Sequence, residues 1–218
     1  MKLDLTALTD DQPFCAGVVL ARDGRLVVTL NDDHLPAEVR RPALRVGGVG
    51  GGQEPRENIW ECALREAHEE LGVAVDLVPS PATYFHDWET QKLVEVERVE
   101  DELAPVLVER WERPSPDVPF APGLPTGPYV YGATFLGVAG AAAELRPCDV
   151  VALLLVEPSV WPLLEETPTL GDAAAAGAQL VAAAPIAEDA VLWMHPHESL
   201  RVVVRLLEQP SVRAALGV

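Results

Sequence analysis

The chain has 218 residues, of which 49% are hydrophobic, and its formal net charge is −18. This length is sufficient to bury a sizeable core, whereas the acidic excess argues against a nucleic-acid polymer as partner, because affinity for a phosphate backbone comes mainly from Lys and Arg. No stretch stays apolar over the length of a membrane span, and the three cysteines are too few for a disulfide framework, so we expect a cytoplasmic protein that binds no membrane.

The N-terminal part of the chain is predicted to form strands. Residues Phe14–Asn31 are typical of two strands joined by a tight turn at Asp23-Gly24. Residues 43–46 predict a short strand that runs into a glycine loop, Gly47–Gly52. Glycines at such a place allow the backbone to approach a ligand closely.

A helix is predicted from about residue 57 to residue 71. Its expected core-facing stripe consists of Trp60, Ala63, Leu64, Ala67 and Leu71. Gly72 follows, where a helix end favours a left-handed residue. Glu66, Glu69 and Glu70 lie three and four residues apart, which stacks their carboxylates on a different face. Like charges in this arrangement repel one another, so a compensating cation is expected.

Residues 87–128 are predicted to form a long irregular insertion that acts as a lid or as a dimer arm. Helix and strand are both open for its acidic first half, whereas the prolines of its second half allow only loop or polyproline segments. Further strands are expected within 129–140 and 149–158. The rest of the chain, about 158–218, is predicted to be a helical C-terminal region that closes with a helix at 198–209.

The glutamate face and the glycine loop together indicate a site for a divalent metal ion. Carboxylates are hard oxygen ligands that suit Mg²⁺ or Mn²⁺. Arg65 is placed to orient one of them by a charge-assisted hydrogen bond. A metal ion beside a closely approaching backbone is a setting for binding phosphates and polarising a P–O bond. The alternative is that these glutamates only form a solvated helix face.

The full spacing of this segment resembles the Nudix box of the Nudix, or MutT-like, hydrolase family. The fixed positions are occupied by Gly51, Glu57, Arg65, Glu66, Glu69, Glu70 and Gly72, with Val73 as the closing aliphatic residue. The resemblance is strong over Gly51–Val73 and loose in the flanking strands. It implies a Nudix-type α/β/α sandwich with a mixed sheet, in which residues 1–218 form a single domain.

The resemblance also implies a role for each fixed residue. The expected metal ligands are the carboxylates of Glu66, Glu69 and Glu70 and the carbonyl of Gly50. The expected catalytic residues are Arg65, which aligns Glu66, together with Glu66 and Glu69. Gly51 and Glu57 are expected in the supporting shell. The expected ion is Mg²⁺, with Mn²⁺ as the alternative.

By the same resemblance, the protein is a hydrolase of the nucleoside-diphosphate-X pyrophosphohydrolase type. It is expected to cleave a phosphoanhydride bond in a nucleotide or nucleoside-diphosphate-linked small molecule, with the metal ion, and to form a homodimer. Candidates for the general base are Glu66, Glu69, an acid of the insertion and Glu144. The alternative function is a nucleotide-sensing module that kept the fold without turnover, although the complete carboxylate set favours an enzyme.

Several other conspicuous residues are assigned to structure rather than to chemistry. His195 and His197 have a spacing that suits metal binding, but a role in a loop or helix cap is favoured. Cys62 is expected to pack in the core. The aromatic residues that are candidates for stacking on a base, with core packing favoured, are Trp88, Trp111, Tyr129 and Tyr131.

Overall fold

The structure, a computed structural model, describes residues 2–10, 12–98 and 102–217. Its strands are β1 (Lys2–Leu3), β2 (Phe14–Arg22), β3 (Arg25–Asn31), β4 (Ala43–Gly47), β5 (Val49–Gly52), β6 (Val75–Val78), β7 (Thr83–Asp87), β8 (Lys92–Arg98), β9 (Leu107–Glu112), β10 (Tyr129–Ala139), β11 (Ala152–Val156), β12 (Gln179–Ala182) and β13 (Val191–Met194). Its helices are α1 (Leu5–Thr9), α2 (Ile59–Leu71), α3 (Trp161–Leu164), α4 (Leu170–Ala175), α5 (Ser199–Leu206) and α6 (Pro210–Leu216), with a 3₁₀ turn at Pro158–Val160 before α3.

The strands form a mixed sheet in which the glycine loop has a central place. The main path runs β1-β8-β7-β9-β10-β2-β3-β11-β12, with β4 beside β3, β13 beside β4, β5 beside β2, and β6 beside β10. Strand β2 pairs in parallel with β10 and antiparallel with both β3 and β5. Because β5 contains the last glycines of the loop, its pairing with β2 fixes that loop over the middle of the sheet.

Alternate residues of the central strands point to opposite faces of the sheet and so build two apolar cores. Along β11, Leu154 packs into one cluster, while Leu153 and Leu155 pack into the other. The first cluster also contains the buried residues of α3, α4, α5 and α6, and the second contains those of α2. The sheet thus lies between α2 and the C-terminal helices, which confirms the predicted α/β fold with a mixed sheet.

The predicted turn and helix end are confirmed, whereas the helix stripe differs in part. Asp23 and Gly24 connect β2 to β3 with positive φ angles of 50° and 75°, and Gly72 ends α2 with a φ of 66°. Leu64, predicted to face the core, is 40% exposed, while Ile59 and Cys62 are buried. The buried face is rotated toward these two residues because α2 packs on β2 and β5.

The prediction of an irregular insertion over 87–128 is wrong for its first half. Strands β8 and β9 lie there, and β9 pairs with both β7 and β10 inside the sheet. The physical reason is that Leu107 and Val108 are fully buried between neighbouring strands, so this apolar segment is core. The proline-rich part, 113–128, contains neither helix nor strand, as predicted. Residues 99–101 lie outside the described residues.

The C-terminal region contains the predicted helices and, in addition, the strands β12 and β13. The closing helix is α5, and within the alanine-rich residues 171–185 helix α4 ends at Ala175. Strand β13 pairs in parallel with β4, which brings the start of α5 next to the glycine loop. Among the described residues, no helix has both the length and the apolar character needed to cross a membrane.

Candidate active site

The glycine loop lies unusually close to β2, and glycine is required at the contact. Gly50 and Gly51 are paired with Gly17 and Ala16 of β2. A Cβ atom at Gly17 would lie 2.2 Å from the carbonyl oxygen of Val49, and one at Gly50 would lie 2.6 Å from the Cα of Gly17. The absence of side chains therefore lets the loop backbone sit directly on the sheet.

Helix α2 begins with a capping box that fixes its start beside this loop. Asn58 Oδ1 accepts hydrogen bonds from the amides of Trp60 and Glu61 at 3.1 and 2.9 Å. Glu61 returns the interaction by accepting from the Asn58 amide at 3.0 Å. With both ends capped and its apolar face buried, α2 presents its glutamates to the glycine loop from a rigid element.

Arg65 connects three of the predicted site carboxylates. Its Nε donates to Glu57 at 2.8 Å, and its Nη1 donates to Glu66 and to Glu69, each at 2.8 Å. Its Nη2 donates to the carbonyl oxygen of Gly52 at 2.8 Å and to Glu57 at 3.0 Å. These acceptors raise the pKa of the Arg65 guanidinium. The planar fork of Arg65 thus ties α2 to the loop and orients the carboxylates around it.

Glu70 and Glu66 lie against the backbone of the glycine loop. The amide of Gly50 donates to Glu70 Oε2 at 2.8 Å. A Cβ atom at Gly51 would lie 2.5 Å from Glu66 Oε1, so the Glu66 carboxylate occupies the space above this glycine. The two carboxylates from α2 therefore flank neighbouring residues of the loop.

The titration properties of these glutamates differ because their surroundings differ. Burial raises the pKa of Glu70 to about 8, and the charges of Glu66 and Glu198 act in the same direction. Burial also raises the pKa of Glu66, against the opposing effect of Arg65. Burial alone would raise the pKa of Glu57 too, but hydrogen bonds from Arg65 and from the Glu54 amide outweigh it and lower the pKa. The neighbouring hydrogen-bond donors therefore do not fully offset the cost of burying the negative charges of Glu66 and Glu70.

The structure brings the predicted site residues to one side of the loop, with separate hydrogen-bond partners. Glu66 and Glu69 are held by Arg65, and Glu70 by the Gly50 amide. Over residues 2–10, 12–98 and 102–217, no group of three or more His, Cys, Asp or Glu side chains stands close enough together to hold a metal ion. The donor chemistry nevertheless fits a hard divalent cation, because partly buried carboxylates with raised pKa values favour a compensating positive charge.

Two further carboxylates, which lie outside the sequence motif, adjoin the loop. Glu198, from the turn before α5, accepts a hydrogen bond from the Gly48 amide at 3.1 Å. Glu109, on β9, accepts one from the indole N–H of Trp88 at 2.9 Å. Both line a cavity with Gly48 and Gly50. No local sequence signal marks either residue, since strand pairing alone brings them to the loop.

The other conspicuous residues lie mostly where structural roles place them. Cys62 is fully buried, and burial raises the pKa of its thiol. His195 accepts a hydrogen bond from the His197 amide at 3.0 Å within the turn, and the His197 ring packs on Trp88 at 4.6 Å. Glu144 is exposed and forms an ion pair with Arg146 at 2.6 Å.

The fold is α/β with a mixed sheet, and a helix that carries glutamates lies beside a glycine loop; comparison with known proteins identifies the family. Residues 13–123 match the family model of the NUDIX domain. The chain therefore belongs to the Nudix family and is a Nudix hydrolase, a class that cleaves pyrophosphate bonds and generally uses a divalent metal ion.

Several solved structures are similar to the chain. The E. coli ORF135 protein is 16% identical, with a TM-score of 0.41 over 68% of this chain and 76% of that one. A NUDIX hydrolase from Nitrosomonas europaea is 16% identical, with a TM-score of 0.41 over 70% and 76%. A putative nudix hydrolase family member from Chromobacterium violaceum is 13% identical, with a TM-score of 0.41 over 95% and 90%. No curated protein matches the sequence.

Proposed function

We propose that this Nudix hydrolase uses a divalent metal ion to cleave a phosphoanhydride bond in a nucleotide or nucleoside-diphosphate-linked small molecule. The observation that supports this most directly is the position of Glu66 and Glu70 on the backbone of Gly50 and Gly51. Two partly buried carboxylates with raised pKa values at a closely packed loop form an environment that a cation stabilises.

The residues that would hold the metal ion are Glu66, Glu69 and Glu70, with the carbonyl of Gly50. Mg²⁺ is the ion that we propose, and Mn²⁺ offers the same oxygen-ligand chemistry. When bound, such an ion neutralises phosphate charge and lowers the pKa of water.

Arg65 acts as the positioning residue of the site. Because one guanidinium contacts Glu57, Glu66 and Glu69, it fixes the direction in which their remaining oxygens point. Glu57 supports this arrangement as a fully ionised partner of Arg65, consistent with its lowered pKa. Gly51 provides the space in which the Glu66 carboxylate sits.

Glu66 and Glu69 are the proposed candidates for accepting the proton of the attacking water. Both carry a carboxylate oxygen that is already oriented by Arg65. Burial raises the pKa of Glu66, which makes its carboxylate a stronger base. Glu144 fits this role less well, because its side chain is exposed and paired with Arg146.

The remaining expectations stay predictions that rest on composition or on family resemblance. They are a cytoplasmic location, a homodimer, a single domain over residues 1–218, and the lid or dimer-arm role predicted for residues 87–128, which we now propose for their proline-rich part, 113–128. In that segment Arg113 is buried and donates to the carbonyls of Gly127 and Val118, whereas Val118 and Phe120 are exposed.

A hydrolysis panel tests the proposed function. Purified protein is incubated with nucleoside triphosphates, ADP-ribose, NADH, diadenosine polyphosphates, coenzyme A and nucleotide sugars, in Mg²⁺, in Mn²⁺ and in EDTA. We expect metal-dependent cleavage of a phosphoanhydride bond that Glu69→Gln abolishes. Glu208→Gln, an exposed glutamate beyond α5, serves as the matched control and should retain full activity. Nucleotide binding without turnover of any substrate would instead favour a sensing module.

A further inference from the structure

The last turn of α2 carries two of the proposed metal ligands, Glu69 and Glu70, and the helix ends one residue later at Leu71. The last four carbonyl groups of a helix have no partner within it, and helix ends fray for this reason. Glu66 and Glu70 are also four residues apart, a spacing at which like charges destabilise a helix. Both effects act on the turn that carries the ligands.

Every carbonyl of this last turn nevertheless accepts a hydrogen bond. The amide of Gly72 donates to the carbonyl oxygen of His68 at 3.0 Å. The other three donors are backbone amides of residues 145–150, which we call the capping loop. Their hydrogen bonds run from Arg146 to Leu71 at 2.9 Å, from Cys148 to Glu70 at 3.3 Å and from Asp149 to Glu69 at 3.1 Å. One short loop thus supplies partners for three of the four carbonyls.

The capping loop is fixed to the same core as α2. Its first and last residues, Leu145 and Val150, are each 8% exposed and pack in the cluster that contains the buried face of the helix. Pro147 lies between the donors and restricts the backbone there. Beyond the loop, the amide of Val151 donates to Leu30 of β3 at 3.0 Å. The loop therefore presents its amides to the helix from a fixed position.

Gly72 allows the capping loop to approach the end of the helix closely. A Cβ atom at Gly72 would lie 2.9 Å from Cys148 Sγ and 3.1 Å from the carbonyl oxygen of Arg146. A side chain at this position would push the loop away from the carbonyls that it caps. Glycine is therefore required here by the contact with the loop, in addition to the left-handed φ of 66°.

The capping loop lies outside the matched family region, residues 13–123. It contacts the end of α2 through backbone amides, which every residue type except proline can supply, so no side-chain pattern marks it. The three donor residues, Arg146, Cys148 and Asp149, are exposed. Their side chains can therefore be changed without disturbing the core, which makes the contribution of the amides accessible to experiment.

We propose that the capping loop is a positioning element of the metal site: the amides of Cys148 and Asp149 keep the last turn of α2 helical and so hold Glu69 and Glu70 in place for the divalent ion. The inference rests on the proposed function, because it requires these glutamates to be ligands. Without the loop, the last turn frays for part of the time, and only the ordered fraction is competent to bind. The apparent affinity for the ion then falls in proportion to that fraction.

Two variants of Asp149 separate the amide from the side chain. Asp149→Ala and Asp149→Pro both lack the carboxylate, but only proline lacks the N–H that donates to Glu69. Mn²⁺ binding is measured by electron paramagnetic resonance without nucleotide, and Tm is measured in EDTA. We expect the Mn²⁺ dissociation constant of Asp149→Pro to be roughly tenfold above that of Asp149→Ala, the effect of one lost hydrogen bond. The control is Ala141→Pro, at the exposed second position of a turn between β10 and β11, where proline is favoured; it should bind Mn²⁺ as the wild type does.

Amide hydrogen exchange of the wild type tests the same coupling without a variant. An ion that binds only the ordered turn stabilises it in proportion to the factor 1 + [L]/Kd. In ¹H–¹⁵N spectra, Mg²⁺ at a concentration of about ten times its Kd should therefore slow exchange of the Cys148 and Asp149 amides roughly tenfold. The Ala143 amide donates to Gly140 at 2.9 Å in the same connection and serves as the internal control. Its exchange rate should be the same with and without Mg²⁺.

Either of two results would overturn the inference. One is an equal Mn²⁺ dissociation constant for folded Asp149→Pro and Asp149→Ala, because a lower Tm in EDTA by itself reports only a structural role. The other is exchange of the Cys148 and Asp149 amides that Mg²⁺ does not slow, and this result decides if Asp149→Pro fails to fold. Failure of the proposed function is distinguishable, because it appears as a wild type that binds no Mn²⁺ or cleaves no substrate in the hydrolysis panel, whereas the inference alone fails with wild-type binding and turnover intact.

Discussion

Replacement of Glu70 by Gln should stabilise the protein in EDTA at alkaline pH. Burial raises the pKa of Glu70 to about 8, from an ordinary value of 4.5 in the unfolded chain. Between these two values the folded protein binds the proton more tightly than the unfolded chain does, so the free energy of unfolding falls as the pH rises. The stabilising contribution is complete below pH 4.5 and is lost as the pH passes through about 8.

The magnitude follows from the two pKa values. A difference of one pKa unit corresponds to about 1.4 kcal/mol, so the shift from 4.5 to about 8 sets an upper bound of about 5 kcal/mol. Glu70 is only partly buried, and solvent reduces this penalty. The glutamine amide oxygen also accepts less strongly than a carboxylate from the Gly50 amide, at a cost of about 1 kcal/mol. A net gain of about 1–3 kcal/mol remains at pH 9.

Thermal unfolding in EDTA at pH 5 and at pH 9 measures this effect. For a chain of this size about 1 kcal/mol shifts the midpoint by roughly 2–4 °C, so Glu70→Gln should unfold several degrees above the wild type at pH 9. Near pH 5 the two proteins should differ little. Glu208→Gln is the control at both pH values, because Glu208 is exposed. Equal destabilisation by Glu70→Gln at both pH values would refute the reasoning, since it would mean that the charge of Glu70 is well accommodated.

Three further variants, with Gly52→Ala as a control, examine the loop and the carboxylates. Gly51→Ala places a Cβ 2.5 Å from Glu66, so we expect at least a roughly tenfold loss of kcat with little change in Tm. A Cβ at Gly52 has nothing within 4 Å, so Gly52→Ala should behave as wild type in both assays. Arg65→Lys should raise the half-saturating metal concentration roughly tenfold, because one ammonium cannot replace the guanidinium fork; an unchanged metal titration would contradict the positioning role. Glu144→Gln should keep its rate, and a roughly 100-fold or greater loss would identify Glu144 as the general base.

The box could be predicted from the sequence because its geometry is local. A helix of fixed period places Arg65 and Glu69 one turn apart on the same face, and Arg65 donates to Glu69 as well as to the adjacent Glu66. The glycine loop precedes this helix directly, so few degrees of freedom separate it from the carboxylates. The contact between Gly50 and Glu70 spans only twenty residues.

The buried face of α2 was predicted less well, because tertiary packing selects it. Helical period alone allows Leu64 or Ile59 to face the core, since both lie near the edge of the apolar stripe. The neighbouring β5 decides between them: the helix turns Cys62 toward the carbonyl of Gly51, at 3.8 Å, and leaves Leu64 on the exposed side. The choice of buried face therefore depends on contacts with β5, which the periodicity of the helix sequence does not include.

Glu109 and Glu198 could not be predicted, because their position depends on long-range register. Glu109 reaches the loop since β9 pairs with β10, where Glu109 stands opposite Gly132. Glu198 reaches it since β13 pairs with β4 in a parallel register. A shift of one residue in either pairing would turn the strand's side chains to the other face. Such a register is a property of the assembled sheet rather than of any short segment.

The glycine loop thus lies between two carboxylates of different origin. Glu70, from the box helix, holds the Gly50 amide, and Glu198, from the C-terminal region, holds the Gly48 amide. Each carboxylate stabilises the loop by its hydrogen bond. Burial raises the pKa of both, and the charge of Glu198 also raises the pKa of Glu70, so negative charge accumulates where a cation is proposed. Since the C-terminal region supplies one side of this arrangement, it contributes to the electrostatics of the site and not only to the core.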